Sequence, residues 1–252
     1  MVIDYQKEGR IAIITLNRPE ALNAQNAQFH RELGQAFTDF RDDPDLWVAI
    51  VRGAGDKAFS VGADIKEFRP GPTSVEAGGL PRIRAEQVWK PFIAAIHGYC
   101  LGGGLQLAME CDLRIAADNA RLGYPEIKIG FFPGSACTLR LPRYIARTHV
   151  MELMLMGQQI DAQEAYRMGL VNRVVPLAQL MSTAREWAEI ICQAGPMGVR
   201  AAKEAIIRGY NMTMEEGLKL EAELINRVRS TEDFIEGARA FAEKRKPVYK
   251  GK

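Results

Sequence analysis

Three short stretches carry residue types that can do chemistry. In the first, the apolar run Phe92 to Ile96 delivers the chain to Gly102-Gly103-Gly104-Leu105-Gln106, a glycine turn that opens a helix. Glycines let a ligand approach the backbone, and the unpaired N–H groups of a helix N-terminus attract negative charge. Such a turn suits a phosphate or a developing oxyanion. The same glycines equally suit a tight strand-to-helix crossing that needs them only for packing, and both readings stand. The second stretch is Phe59-Ser-Val-Gly-Ala-Asp-Ile-Lys-Glu67, where Gly62-Ala63 either offers a second backbone N–H or is an ordinary turn. The third is Tyr124-Pro-Glu-Ile127. Glu126 stands among Tyr124, Ile127 and Ile129, just ahead of Gly130-Phe-Phe-Pro-Gly134. A carboxylate so flanked can have the raised pKa that proton transfer needs. Taken alone, a loop or helix-capping glutamate is the stronger reading.

The elements that must position these stretches follow from periodicity. Arg10 to Leu16 is a β-rich apolar run stopped by Asn17-Arg18-Pro19. Phe29, Leu33, Ala36, Phe37 and Phe40 recur at helical spacing, which predicts a helix over about 25–41. Strands are expected at Trp47 to Arg52, Phe92 to Ile96 and Asp112 to Ala117, with helix from Leu105 to Met109. Such alternation argues for an α/β fold with buried strands. Beyond about residue 138 helical patterns dominate, at 138–157, 161–169, 179–194, 197–210, 214–229 and 231–245. Leu170 to Val175 is the exception. Leu218, Ala222, Ile225 and Val228 form one late apolar stripe, and Phe234, Ile235, Ala238, Phe241 and Ala242 another. Arg69 to Pro81, rich in Gly and Pro, reads as a surface loop.

Composition narrows the function classes. The 252 residues are 47% hydrophobic and 25% charged, an ordinary globular balance that excludes disordered, collagenous and disulfide-scaffold classes. A net charge of +2 is too small for a general nucleic-acid or membrane-surface binder. Cys100, Cys111, Cys137 and Cys192 show no metal-site spacing, so no metal is expected and reduced cytosolic thiols are. Met1 to Arg10 lacks the apolar stretch of a signal peptide, which adds to a cytoplasmic reading. Phe92 to Met109 is an uncharged 18-residue run, but its glycines, His97 and Gln106 favour strand, turn and buried helix over a membrane span. No nucleotide-cofactor glycine motif occurs. His97 reads as a core histidine, Met151, Met154 and Met156 as core filler, and His30 and His149 have no nucleophile constellation.

Taken in order, the stretches resemble the crotonase (enoyl-CoA hydratase/isomerase) superfamily. The match runs through Asn17-Arg-Pro, Leu22-Asn-Ala24, Phe59 to Lys66, His97-Gly-Tyr-Cys-Leu-Gly-Gly-Gly104 and Pro125-Glu-Ile127. It continues through Ala162-Gln-Glu-Ala165 and Gly169-Leu-Val-Asn172 to Phe241-Ala-Glu-Lys-Arg-Lys246, so it covers essentially the whole chain. The resemblance implies a crotonase-like spiral of ββα units over residues 1–194 and a C-terminal helical trimerisation region over 195–252. It implies an acyl-CoA thioester as ligand, no separate cofactor, and a homo-oligomer, a trimer or dimer of trimers. By position, Ala63 and Gly103 would supply oxyanion-hole N–H groups and Glu126 the acid/base. Asn23, Ala24, Gly62, Asp64, Ile65 and Lys66 would line the CoA, and Phe241 and Lys244 would reach it from a neighbouring subunit. The basic chain end (Lys244, Arg245, Lys246, Lys250, Lys252) otherwise reads as a solvated tail, and a nucleic-acid partner is disfavoured.

One position departs from the pattern. Typical enoyl-CoA hydratases hold a water between two glutamates. Glu126 matches the second, but the first falls at Gln106. Glutamine can hydrogen-bond a water but cannot exchange a proton with it. The resemblance therefore implies a hydratase-like lyase working through Glu126, with a single-glutamate isomerase or an aromatic enoyl-CoA hydratase-lyase as alternatives. A non-catalytic CoA- or RNA-binding homologue is the alternative of another class. Tyr99, Tyr124, Ser135 and Cys137 are candidates to shape an acyl pocket, though core packing is the stronger role for each.

Overall fold

The computed structural model describes residues 1–67, 83–134 and 136–252. The expected loop at 69–81 and the pocket candidate Ser135 lie outside them. The chain opens with antiparallel β1 (Ile3–Glu8) and β2 (Ile11–Leu16), then α1 (Ala27–Asp42). Asn26 caps α1, its side-chain oxygen accepting from Phe29 N–H at 2.9 Å. Three pairs of consecutive strands follow. They are β3 (Val48–Gly53) with β4 (Ala58–Ser60), β5 (Phe92–Ile96) with β6 (Tyr99–Leu101) before α2 (Gly103–Glu110), and β7 (Leu113–Ala117) with β8 (Arg121–Gly123). Then come α3 (Cys137–Tyr144), α4 (Arg147–Met156), β9 (Gln159–Asp161), α5 (Ala162–Arg167), β10 (Arg173–Val175) and α6 (Leu180–Cys192). The closing helices are α7 (Pro196–Gly209), α8 (Met214–Arg229) and α9 (Glu232–Ala242).

Each strand pair sends its first member to one sheet and its second to another, so the backbone winds as a spiral. The six-stranded sheet has the order β1-β2-β3-β5-β7-β10 and the four-stranded sheet β4-β6-β8-β9. Every neighbour in the larger sheet beyond β1–β2 is parallel. A parallel sheet is covered on both faces, so its central strands must be apolar throughout. β5 meets that demand by strict alternation. Phe92, Ala94 and Ile96 pack with Phe37 and Phe40 of α1, while Ile93 and Ala95 pack with Leu180, Ala184 and Ala188 of α6. Phe92 is fully buried, its ring centroid 4.9 Å from those of both Phe37 and Phe40.

The expected strands and helices of the larger sheet are present within a few residues, and the structure adds β1 and the whole four-stranded sheet. The uncharged run 92–109 is β5, β6 and α2, and among the described residues no helix is long and apolar enough to cross a membrane. The helical pattern over 138–157 divides into α3 and α4 at Ile145, which is extended. Met154 is buried as core filler, but Met151 and Met156 are half-exposed, because α4 turns only Val150, Leu153 and Met154 inward.

α7 is tied to the spiral by a buried lysine. Lys203 Nζ donates to Ala85 O at 2.9 Å, Lys90 O at 3.1 Å and Asp112 Oδ2 at 2.7 Å. The chain end returns to the larger sheet, where Arg10 Nη2 donates to Tyr249 O at 3.1 Å and Gly251 lies against Trp47. The two late apolar stripes are not inward-facing within the chain. α8 buries Leu220 and Leu224 while Leu218 and Ile225 stay exposed, and Phe234, Ile235 and Phe241 of α9 are exposed as well.

Candidate active site

The glycine turn serves both of its possible purposes at different residues. A Cβ on Gly104 would stand 2.1 Å from Ser60 O, so glycine there is a packing requirement of the α2–β4 contact. Gly102 has φ 51° and ψ −121°, a conformation that side chains rarely adopt. Among the described residues the Gly103 N–H has no acceptor, as befits the first position of a helix. Gly62 abuts it, since a Cβ on Gly62 would lie 2.6 Å from Gly103 N.

Ala63 follows, in an isolated parallel bridge with Gln25. Gln25 N donates to Gly62 O at 2.7 Å and Gln25 O accepts from Asp64 N at 3.0 Å. In a parallel bridge those flanking groups do the bonding, so the N–H of Ala63 points the other way and, among the described residues, finds no acceptor. The Gln25 side chain locks the two segments together. Its Nε2 donates to Gly103 O at 3.0 Å and to Ser60 Oγ at 3.4 Å, and Ser60 Oγ donates to Asn23 O at 2.8 Å. Two backbone donors on abutting, rigid segments are the result.

Glu126 comes from the turn of helix Pro125–Ile129 that follows β8. Its carboxylate lies against Gly102, where a Cβ would meet both oxygens at 3.1 Å. Burial pushes its pKa above the ordinary glutamate value. Gln106, one turn into α2, is 8% exposed and donates from Nε2 to Glu110 Oε1 at 3.1 Å. Cys137, at the start of α3, contacts Gln106 Oε1 through its sulfur at 3.9 Å. Tyr124, wholly buried, donates to Met109 Sδ at 3.2 Å and also approaches Cys137. Burial raises the pKa of Tyr124 and pushes the Cys137 thiol up to about 11, so both stay protonated at neutral pH. Behind them Arg140 pairs with Glu86, Nε to Oε2 at 2.9 Å and Nη2 to Oε1 at 2.5 Å. Two N–H donors beside a poised carboxylate can hold a carbonyl oxygen while a proton moves on the neighbouring carbon.

The structure thus brings Gly62, Ala63, Gly103 and Glu126 together, with Gln106 nearby on α2. Asn23 and Ala24 are buried and occupied internally. Asn23 Nδ2 donates to Ala54 O at 3.0 Å and Ala58 O at 2.8 Å, and Ala24 O accepts from Arg18 Nη1 at 2.7 Å. Asp64 pairs with Arg18 at 2.9 Å, while Ala63, Ile65 and Lys66 are exposed beside it. Phe241, 87% exposed, and Lys244 lie at the end of α9, where the chain's own contacts run to α8 and, through the tail, to Arg10 and Trp47. Tyr99 is exposed. His97 is buried as expected, but its Nε2 has no hydrogen-bond partner among the described residues, so it is not a fully satisfied core histidine. Burial and the Arg52 charge depress its pKa. Among the described residues no cluster of three or more His, Cys, Asp or Glu side chains could hold a metal.

Sequence reasoning missed Gln25, Ser60, Arg18 and Glu110. The first three are polar residues inside or beside quoted motifs, and that adjacency was their only signal. Glu110 had a plainer one, a lone charge four residues beyond Gln106 on an otherwise apolar helix.

The chain is similar to known proteins over its whole length. The sequence pattern of the family described as enoyl-CoA hydratase/isomerase matches residues 6–252. An (E)-benzylidenesuccinyl-CoA hydratase of Thauera aromatica is 41% identical over 256 residues, spanning 100% of both chains. A short-chain-enoyl-CoA hydratase of Clostridium acetobutylicum is 41% identical over 247 residues, covering 96% of this chain and 94% of its own. The crystal structure of an enoyl-CoA hydratase from Bacillus anthracis superposes with a TM-score of 0.94 at 40% identity, over 100% of each chain. Fold, motif order and full-length similarity agree, and the chain belongs to the crotonase (enoyl-CoA hydratase/isomerase) superfamily.

Proposed function

We propose that the chain hydrates and dehydrates acyl-CoA thioesters, interconverting a 2-enoyl-CoA and a 3-hydroxyacyl-CoA, with Glu126 as the one side chain that moves protons. The observation that carries this reading is the Glu126 carboxylate against Gly102, one residue from the unpaired N–H of Gly103. The N–H groups of Ala63 and Gly103 hold the thioester oxygen, and donors of this kind are each worth about 10²–10³ in rate. In dehydration, Glu126 takes the Cα proton and the electron pair moves onto the thioester oxygen as an enolate. That pair then returns to form the Cα–Cβ double bond as the Cβ–O bond breaks. Glu126 gives its proton to the departing oxygen, and water leaves. Hydration is the reverse. Gln106 orients the water without exchanging a proton with it. Raised by burial, the Glu126 pKa suits a group that must both accept and return a proton.

In the same reading the CoA moiety lies along Gly62 to Ile65 and Lys66, and Asn23 and Ala24 support that strip from beneath. No cofactor beyond the CoA of the substrate is invoked. Residues 1–194 hold the ligand and 195–252 assemble the oligomer, a trimer or a dimer of trimers. Support for assembly comes from the exposed apolar residues of α8 and α9, Leu218, Ile225, Phe234 and Ile235 among them. Phe241 and Lys244 reach the ligand from a neighbouring copy.

Gln106 favours one second reading, double-bond isomerisation, which needs a single carboxylate and no water. Mass spectrometry separates the two. Acyl-CoA thioesters (2-enoyl, 3-enoyl, 3-hydroxyacyl and aromatic enoyl) are incubated in H₂¹⁸O and, separately, in D₂O. Incorporation of ¹⁸O at Cβ is the expected result. Bond migration with deuterium uptake and no ¹⁸O would make the protein an isomerase, and no turnover across the panel would overturn the enzymatic reading.

A further inference from the structure

α2 begins at the unpaired N–H of Gly103 and ends at Glu110, and residues four apart on a helix share a face. Gln106 and Glu110 therefore form one continuous strip leading away from the glycine turn. Glu110 is 2% exposed, an expensive place for a carboxylate. There it accepts from Gln106 Nε2 at 3.1 Å and feels the charge of the Arg140 guanidinium. A carboxylate facing this amide selects its nitrogen end, and the Cys137 thiol at 3.9 Å faces the oxygen end. The amide is thus held in one of its two orientations by a group at each end. One amide hydrogen and one carbonyl lone pair remain for a water.

We propose that Glu110 is a positioning residue for the water, acting through Gln106 to fix which end of that amide the water meets. The inference rests on the hydratase reading above. Without Glu110 the amide can turn over and offer its oxygen where its N–H stood. The water, or the oxygen leaving Cβ, then loses a donor at the moment negative charge builds on it. Proton exchange at Cα needs only Glu126 and the two backbone N–H groups, so it is untouched. The two half-reactions of one site therefore depend on Glu110 differently.

That difference is the test. E110Q keeps the shape but offers the amide no fixed acceptor. ¹⁸O incorporation at Cβ of a 2-enoyl-CoA and deuterium exchange at Cα of a saturated acyl-CoA are measured for wild type and E110Q, with KM and kcat for hydration. Loss of one hydrogen bond to a charged group lowers ¹⁸O incorporation about tenfold or more. Exchange and KM stay at wild-type values. If both isotopic rates fall together, or neither falls, Glu110 is structural only and the inference is overturned.

Q106E is the second variant, and it covers the case in which E110Q does not fold. It sets a new carboxylate against Glu110, with Cys137, Tyr124, Arg140 and Glu126 as the other titratable groups around it. Two carboxylates in contact cannot both ionise cheaply. The acid limb of hydration by Q106E then lies at higher pH than that of wild type, and an unmoved limb overturns the contact. Wild type alone tests the hydratase reading: absence of ¹⁸O in wild type defeats that reading, whereas parallel loss in E110Q defeats only this inference.

Discussion

The glycine-turn site and the C-terminal arm are finished in opposite ways. Around the turn, the chain satisfies its own polar groups almost completely. Asn23 holds Ala54, Ala58 and Arg18, and Gln25 holds Ser60 and Gly103, so among the described residues the groups left over include the N–H groups of Ala63 and Gly103, the Glu126 carboxylate and part of the Gln106 amide. In the arm, residues 195–252, two acidic side chains are likewise pinned. Asp233 accepts from Lys250 N at 2.7 Å and Gly251 N at 2.8 Å, and Glu236 pairs with Arg239 and Arg245. There the outward-facing surface includes large apolar side chains, Leu218, Phe234, Ile235 and Phe241. Leftover polar capacity in a rigid frame calls for one polar group of a ligand, such as a carbonyl oxygen. Leftover apolar surface calls for something large enough to cover it.

Two phenylalanines sharpen that contrast most. F92A removes a ring packed between α1 and the larger sheet, and large-to-small changes of this kind cost about 3–5 kcal/mol. F241A removes an exposed ring and changes the stability of dilute, dissociated protein by about 0.5 kcal/mol or less. Denaturant melts of the two variants check this, and an equal loss in both would erase the distinction between core and arm.

The next effect is on pH dependence. In the proposed reaction Glu126 is a base only when ionised, and burial holds its pKa above the ordinary value of about 4.3. Deuterium exchange at Cα is therefore lost as pH falls through that raised pKa, earlier than for a solvated glutamate. The linkage sign gives a companion result. A folded state that raises a carboxylate pKa binds its proton more tightly than the unfolded chain does. The ionised group then costs stability above that pKa, so E126Q melts no lower than wild type at neutral pH. A thermal melt showing E126Q clearly less stable would break this account of the site.

The smallest effect lies at the end of α9. Lys244 has φ 54°, with Lys244 N donating to Phe241 O at 3.2 Å and Arg245 N to Ala240 O at 3.0 Å. That is a helix-ending turn which favours glycine. K244G relieves about 0.5–1 kcal/mol of strain, partly offset by a looser unfolded chain. If Lys244 reaches the ligand of a neighbouring copy as proposed, the same change weakens CoA-thioester binding. A variant that melts higher and binds more weakly, by calorimetry, places this lysine in service of a ligand. Unchanged binding would return it to the solvated tail.

Legibility in the sequence tracked the length and burial of each element. α1 was readable from four turns of helical spacing, and β2, β3, β5 and β7 because five or six residues with covered faces leave a pattern. The four-stranded sheet was not, because β4, β6, β8 and β9 have only three residues each, too few for a period to show. β1 was hidden by Asp4, Lys7 and Glu8, which an edge strand with only Ile3 fully buried can carry. The glycine turn and Glu126 were legible as residue types. Glu110 was not singled out, since its meaning comes from a contact with Gln106 and from burial. The late stripes of α8 and α9 were visible, but not that they face outward, because periodicity names a face without saying what covers it.

The central claim is that Glu126 alone moves the proton while Ala63 and Gly103 hold the thioester oxygen. It is tested most directly by comparing wild type with E126Q for deuterium uptake at Cα from D₂O and for acyl-CoA affinity in the same preparation. Loss of a general acid/base predicts exchange slowed by about 10²–10⁴ with affinity unchanged. Exchange at the wild-type rate in E126Q would contradict the account.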